Sequence, residues 1–230
     1  MRLVSWNVHG SAGPDIDQLA AALHDLDPDV IALQEVQRRQ ARMLARILGQ
    51  LDWRWALKHR PFGWLVPWRA EGLAVMSRAP ITSTAWVELS TGGWLAMHRR
   101  RIAMYADTTA DGRAIRVINA HLGSGRDEVE RRHQADRLVA SSWLTTGPPA
   151  VLVGDLNTAE ALPAFAVAAL EESDSAVQAT FPSDHPRRRI DRVLVGAESP
   201  ATICRVEVPE GLHWARLSDH RPLVVVLSLA

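Results

Sequence analysis

A single cysteine, Cys204, stands in a chain of 230 residues. That excludes an intramolecular disulfide framework and a multi-cysteine zinc site. Lysine is as scarce: Lys58 is the one lysine among 26 basic residues, and all the others are arginine. No apolar run approaches the roughly 18 residues that would signal a bilayer span. The opening Met1-Arg2-Leu3-Val4-Ser5 lacks a basic-then-apolar leader, so a reducing cytoplasm is the expected compartment. An excess of one charge is also missing, since 26 basic residues face 26 acidic ones. The chain is therefore not a nucleic-acid binder of the strongly basic type. Local patches stay open at Arg99–Arg101 and Arg187–Arg189, where guanidinium forks suit phosphate, although both runs also read as solvated loops.

What remains is ordinary: 47% hydrophobic and 23% charged residues, the composition of a soluble globular protein. With no low-complexity linker, residues 1–230 read as a single catalytic-sized domain. Apolar β-rich runs alternate with helical ones. Arg2–Trp6 reads as a strand. Asp15 with Gln18 forms a capping-box pattern ahead of Ile16, Leu19, Ala20 and Leu23 on one helical face. Asp27-Pro28 closes that helix, and Val30–Leu33 reads as a strand buried on both faces. A second helix carries Ala41, Leu44, Ala45 and Leu48. The middle is β-like over Trp53–Lys58, Leu73–Met76, Ile81–Leu89 and Ile102–Ala106. Strand, helix and strand then recur over Ala114–Ala120, Arg126 to about Trp143, and Val151–Gly154. Late strands fall at Ile190–Val195, Thr202–Val208 and Leu223–Leu229.

Each apolar strand runs straight into a polar residue: Asn7, Glu35, His121, Asp155. Functional groups collect where strands end, because a rigid sheet fixes them while loops admit a ligand. Two sheets packed face to face would gather all four at one rim. Taken singly, each has a plain reading. Asn7 could bond its own turn, Glu35 could sit at a helix N-terminus, Asp155-Leu156-Asn157-Thr158 could enter a helix, and Asp219-His220 could be a loop pair. Together with Asp191 they form a set of carboxylates, amides and imidazoles. Carboxylates crowded into one cleft oppose each other's ionisation unless a cation neutralises them. Hard oxygen donors without thiolate suit Mg²⁺ or Mn²⁺, and a carboxylate cleft with such an ion handles phosphate.

Six stretches resemble the metal-dependent endonuclease/exonuclease/phosphatase superfamily, which includes deoxyribonuclease-like enzymes. They are Ser5-Trp6-Asn7, Leu33-Gln34-Glu35-Val36, Asn119-Ala120-His121-Leu122, Gly154-Asp155-Leu156-Asn157-Thr158, Arg189-Ile190-Asp191-Arg192-Val193 and Ser218-Asp219-His220-Arg221-Pro222. They occur in the family's order across nearly the whole chain. The resemblance implies an α/β fold, a four-layer αββα sandwich of two mixed sheets with helices outside. It also implies phosphoester hydrolysis by in-line attack of water. By the same resemblance Glu35 is the main metal ligand, with Asn7 and Asp219 close to the ion, and Asp155 and Asn157 orient the water or the phosphate. His220 serves as general acid/base or phosphate contact, oriented by Asp191. His121 is similar to the second histidine of the deoxyribonuclease, sphingomyelinase and inositol-phosphatase branches, and Glu71 matches the glutamate that orients it. Glu71 also reads as a solvated loop residue. His9 departs from the acidic residue often found two positions after the asparagine.

The segments His59–Arg69 and Gly92–Arg101 put tryptophan beside glycine, proline and arginine. They read as a substrate-facing rim, with Trp94 stacking and Arg99 holding phosphate beside Asn7 and Asn157, or as the edge of a core. Three functions follow. The first is an Mg²⁺- or Mn²⁺-dependent phosphodiesterase, a nuclease acting on DNA or RNA. The second keeps the chemistry on a phospholipid or inositol phosphate, with peripheral lipid contact. The third is a catalytically silent binding protein, which the intact acids and histidines disfavour. No obligate protein partner is implied.

Overall fold

The computed structural model describes residues 1–59, 70–90, 100–125, 128–172 and 178–229. Two six-stranded sheets organise the chain. The first contains β1 (Arg2–Asn7), β2 (Val30–Gln37), β3 (Asp52–His59), β4 (Glu71–Ser77), β11 (Ala201–Glu207) and β12 (Leu223–Leu229), in the order β11-β12-β1-β2-β4-β3. The second contains β5 (Ser83–Glu88), β6 (Ile102–Ala110), β7 (Arg113–His121), β8 (Ala150–Asp155), β9 (Leu170–Glu171) and β10 (Asp191–Gly196), in the order β5-β6-β7-β8-β10-β9. Each sheet has one parallel pair near its centre, β1 with β2 and β7 with β8. The helix between the two strands of each pair lies on that sheet's outer face. These are α1 (Ile16–Asp25) and α3 (Glu128–Ala140), with α2 (Arg38–Ile47) beside α1 and α4 (Pro163–Val167) beside α3.

The alternation of side chains along a strand explains the layers. Leu3, Val30, Ala32, Leu73 and Val75 of the first sheet meet Ile102, Met104, Val117, Val151 and Val153 of the second, a dry layer between the sheets. Their neighbours of opposite parity, Val4, Trp6, Ile31 and Leu33, pack on Leu19, Leu23 and Leu44 of the helices. Ile118, Leu152 and Leu194 do the same against Ala135, Leu138 and Phe165. Strands buried on both faces read as unbroken apolar runs, and that is why Val30–Leu33 and Val151–Gly154 are so apolar. The architecture is the four-layer αββα sandwich.

Three local expectations change. Asp15 does cap α1, accepting from the Asp17 and Gln18 amides, but the Gln18 side chain donates to the Asp15 carboxylate instead of closing a capping box. Strand β2 does not stop at Leu33; it bulges and continues to Gln37. Asp155–Thr158 is not a helix entry, because α4 starts only at Pro163. That short helix, the two-residue β9 and a 3₁₀ turn at Leu212–Arg216 carry too little periodicity to be read from sequence.

Candidate active site

The parallel pairs decide where the polar residues go. Asn7, at the end of β1, lies opposite Gln34 of β2, and His121 lies opposite Asp155 at the end of β7 and β8. Asp191, the first residue of β10, faces Asp155 in antiparallel register. Below this rim a buried amide seam joins the sheets. Gln34 Nε2 donates to Asn119 Oδ1 at 2.8 Å, and Asn119 Nδ2 donates to the Leu33 and Ala74 carbonyls. Above it, Asn7 Nδ2 crosses from one sheet to the other and donates to Asp155 Oδ2 at 3.0 Å. The loop before β12 is held by its own serine: Ser218 Oγ donates to the Asn7 carbonyl and accepts from the His220 amide. Trp6 Nε1 adds a bond to the His220 carbonyl at 2.8 Å. Ser218 and His220 therefore have positions set by β1.

Backbone irregularities aim the side chains. Glu35 has φ 53°, His9 φ 44° and Asn157 φ 54°, left-handed conformations that side-chain-bearing residues rarely adopt. Such strain gathers where a site over-determines it. In the ladder between β2 and β4, Leu33 pairs with Ala74 and Val36 with Gly72, so Gln34 and Glu35 oppose one residue. This β-bulge turns the Glu35 side chain toward the rim. On the other side of β4, Leu57 pairs with Gly72 and His59 with Glu71, leaving Lys58 as the extra residue of a second bulge.

The side chains then form one connected set. Lys58 Nζ donates to Glu35 Oε1 at 2.9 Å and lies 3.7 Å from Glu71 Oε2. Glu71 Oε1 accepts from the Ser11 amide. His121 sits between Glu35, 3.8 Å from its Nδ1, and Asp155, 3.6 Å from its Nε2. Asp155 Oδ1 accepts from the Asn157 amide, and Asn157 Nδ2 donates to the Leu122 carbonyl. His220 Nε2 lies 3.8 Å from Asp155, and its Nδ1 meets Asp191 Oδ2 at 2.8 Å. Thr180 Oγ1 donates to the same Asp191 oxygen. Asp219 is at the exposed lip, 3.5 Å from His9 Nδ1. Beside it opens a cleft of about 470 Å³, lined by His9, Pro14, Pro182, Asp184, Arg216 and Asp219 among others.

Electrostatics follow from this crowding. Burial, with Asp191 alongside, pushes the Asp155 carboxyl up to about 7. Burial alone would lower His220, but Asp191, Asp155 and Asp219 outweigh it and hold the imidazolium up to about 9. Burial would raise Glu35 too, yet the Lys58 ammonium holds its carboxyl below the usual range. Burial lowers Lys58, and its carboxylate partners only partly restore it.

Asn7, Glu35, Glu71, His121, Asp155, Asn157, Asp191, Asp219 and His220 thus occupy one rim. Trp94 and Arg99 lie outside the described residues. Glu71 is not a solvated loop residue: it is 5% exposed and begins β4. Its oxygens meet the Ser11 amide and the Lys58 ammonium, and Glu35 and Asp155 lie within 4 Å of the His121 ring nitrogens. Two cations stand beside these acids; the sequence places Arg101 in the phosphate-suited or solvated Arg99–Arg101 run and assigns Lys58 no role. Arg101 faces Glu35, Asp155 and Glu71, its amide donates to Ser90 Oγ, and its Nε is buried without a hydrogen-bond partner among the described residues. Lys58 had a visible signal, a lone lysine in an arginine-rich chain, within an otherwise apolar strand end.

The donor set fits a hard divalent cation. Asp155, Asp191 and His220 offer ligand atoms within 4.8 Å of one another, and Asp191 Oδ1 is buried without a hydrogen-bond partner among the described residues. Glu35 and Asn7 add oxygen donors from β2 and β1, and Asp219 adds one at the exposed lip. Carboxylates this close ionise together only with positive charge among them.

An αββα sandwich with acids and two histidines gathered at one strand-end rim defines the class, a phosphoesterase-type hydrolase fold. The chain belongs to the endonuclease/exonuclease/phosphatase family, whose model matches residues 4–220. Members of this family are hydrolases acting on phosphoesters. Among solved structures, an endonuclease/exonuclease/phosphatase from Bacteroides vulgatus is 19% identical with TM-score 0.78, covering 100% of this chain and 98% of its own. A mannosyl-6-phosphatase from Bacteroides thetaiotaomicron is 20% identical with TM-score 0.75, covering 99% of each chain. TDP2 from D. rerio, complexed with a single-strand DNA product, is 18% identical with TM-score 0.75, covering 99% and 98%. No curated protein sequence matches the chain. At these identities the likeness concerns the fold. No helix among the described residues is long and apolar enough to cross a membrane.

Proposed function

We propose that the chain is a divalent-metal-dependent phosphodiesterase, with Mg²⁺ or Mn²⁺ as its ion and nucleic acid as its substrate. The observation that carries this reading is the meeting of Asp155, Asp191, His121 and His220 beside Glu35 and Asn7, drawn from both sheets into one connected cluster. When bound, the ion supplies Lewis-acid stabilisation of charge on the phosphoryl oxygens. Glu35, Asn7 and Asp219 are the residues assigned to hold it. Asp155, with its raised carboxyl, takes the proton of the attacking water, and Asn157 fixes the loop that presents it. His220, kept as an imidazolium by Asp191, gives a proton to the leaving oxygen or holds a phosphoryl oxygen. His121 supports the water side from its place between Glu35 and Asp155. Arg101 adds a positive charge facing the same acids, suited to a phosphate.

The exposed Arg188 bridges in antiparallel register to Phe181, whose ring packs 4.9 Å from that of His220, and so offers a polyanionic strand a path past the site. The likeness to TDP2 bound to a DNA product agrees with that path. The likeness to a mannosyl-6-phosphatase supports a second reading, a small soluble phosphate ester. The test is a metal-supplemented panel of plasmid DNA, single-stranded RNA, sphingomyelin, an inositol phosphate, a sugar phosphate and a chromogenic phosphodiester. Cleavage of nucleic acid that is abolished by EDTA and by Glu35→Ala is the expected result. Full activity in excess EDTA sinks the metal-dependent reading, and turnover confined to the phosphomonoesters sinks the nuclease.

A further inference from the structure

The four edges of the two sheets are not alike. β9 is only two residues long. β11 carries a register shift between Ile203 and Arg205, and Arg205 and Glu207 form an ion pair along it at 3.1 Å. β3 has the bulge at Lys58 against Gly72, where a Cβ would lie 2.1 Å from the Ala56 carbonyl oxygen, and Asp52 and Arg54 pair along it. Shortness, bulges and charge are the devices that keep an exposed edge from accepting another strand. β5 has none of the three. Its register against β6 runs unbroken from Ser83 to Glu88, its single charge is at its last residue, and it holds no proline. Thr84, Ala85, Trp86 and Glu88 are exposed, Trp86 at 52%, and β6 is the one described strand that pairs with it.

We propose that the β5 edge is a pairing surface for a second copy of this chain, β5 against β5 in antiparallel register about a twofold axis at Trp86. The backbone selects this geometry. The Leu89 amide donates to the Arg101 carbonyl at 2.8 Å, so the antiparallel alternation turns Ser83, Ala85 and Val87 toward β6. The amides and carbonyls of Thr84, Trp86 and Glu88 are left facing outward. A twofold axis at Trp86 uses all three, joining Trp86 to its own symmetry mate and Thr84 to Glu88 in both directions. Side chains accept the same register. On one face Trp86 meets Trp86, and on the other Ala85 meets Val87, an apolar pair. Arg100 lies 4.8 Å from the Trp86 ring centroid and 3.6 Å from Glu88. Each copy therefore brings one cation and one anion to the seam, and no like charges stand opposite each other. An isologous contact of this kind closes after two copies. Glu88 is level with Ile102 and His121 across the ladders, so antiparallel pairing points the two active-site rims in opposite directions, clear of the contact. The surface does not depend on the function proposed above.

Sedimentation velocity on the intact chain, over a concentration series to about 0.1 mM, reads the association, and hydrogen exchange reads the strand. The expected result is a shift from the mass of one chain toward that of two as concentration rises, with slower amide exchange in the peptide that covers β5. Trp86→Lys sets two cations at the axis and should leave the chain monomeric, with β5 exchanging at one rate throughout the series. Circular dichroism and a thermal melt confirm that the variant is folded. If Trp86→Lys does not fold, Thr84→Pro, which removes one outward amide from an edge that tolerates proline there, must give the same loss. A native chain that stays monomeric to the end of the series overturns the proposal. A dimer that persists in the folded variants overturns it as well, and so does a native dimer with unchanged exchange over β5, whose contact lies elsewhere.

Discussion

Asp155 is a buried carboxyl crowded by another. It accepts from Asn7 and from the Asn157 amide, yet burial beside Asp191 pushes it up to about 7. In the metal-free protein above neutral pH that carboxylate is an electrostatic liability. Asp155→Asn should therefore raise the stability of the metal-free protein at pH 8 by about 1–3 kcal/mol while removing activity. Chemical denaturation and a phosphodiester assay on the same preparation check both halves, and a destabilised Asn variant defeats the argument. His121→Ala and His220→Ala should each lower kcat by about 10²–10⁴ if they move protons, and losses under tenfold return them to structural roles. Asp191 acts through His220. Asp191→Asn should bring the His220 titration well below its present value of about 9, seen in the imidazole NMR signals, and pull the alkaline limb of the rate profile down with it. An unshifted His220 resonance contradicts the assignment.

At the scale of strands, function depends on irregularity. The bulge in β2 aims Glu35, and the bulge in β3 aims Lys58. Close approach of β7 and β8 needs Gly154, with φ 142° and its would-be Cβ 1.9 Å from the Ala120 carbonyl oxygen. The clash is with backbone, which cannot rotate aside. Gly154→Ala and Gly72→Ala should each cost about 1–3 kcal/mol, and activity should fall further than stability accounts for, because His121–Asp155 and Glu35–Lys58 lose their spacing. Urea midpoints beside kcat on folded protein measure the two effects. A fully active Gly72→Ala would mean that the bulge is incidental. The strands themselves were legible in the sequence, since unbroken apolar runs of four to six residues mark strands covered on both faces. The bulges were not, because a two-against-one pairing belongs to the ladder, not to either strand.

For the whole molecule, proton binding couples the site to stability. Asp155 and His220 both bind protons more tightly in the fold than their ordinary values of 3.8 and 6.5. His220 contributes its stabilisation in full below pH 6.5 and loses it as pH rises to about 9. Asp155 stays protonated in the fold while the unfolded chain ionises, so it removes stability from pH 3.8 upward until about 7. Both signs agree with linkage, since the native state holds more protons. The Tm of chelator-treated protein should fall between pH 5 and 9, less steeply in Asp155→Asn. Mn²⁺ at 100 times its Kd should restore about 2.7 kcal/mol. A Tm that rises over that range refutes the coupling.

The alternation of apolar strands and amphipathic helices was legible because periodicity is a local property, and the architecture and chemical class came with the resemblance carried by Asn7, Glu35, His121, Asp155, Asp191 and Asp219-His220 in their order along the chain. Which oxygen faces which nitrogen was decided only by two sheets meeting. Lys58 lies 23 residues from Glu35 in sequence, and Asn7 lies 148 from Asp155. No local pattern encodes a contact made by register, bulge and the packing of one sheet on another.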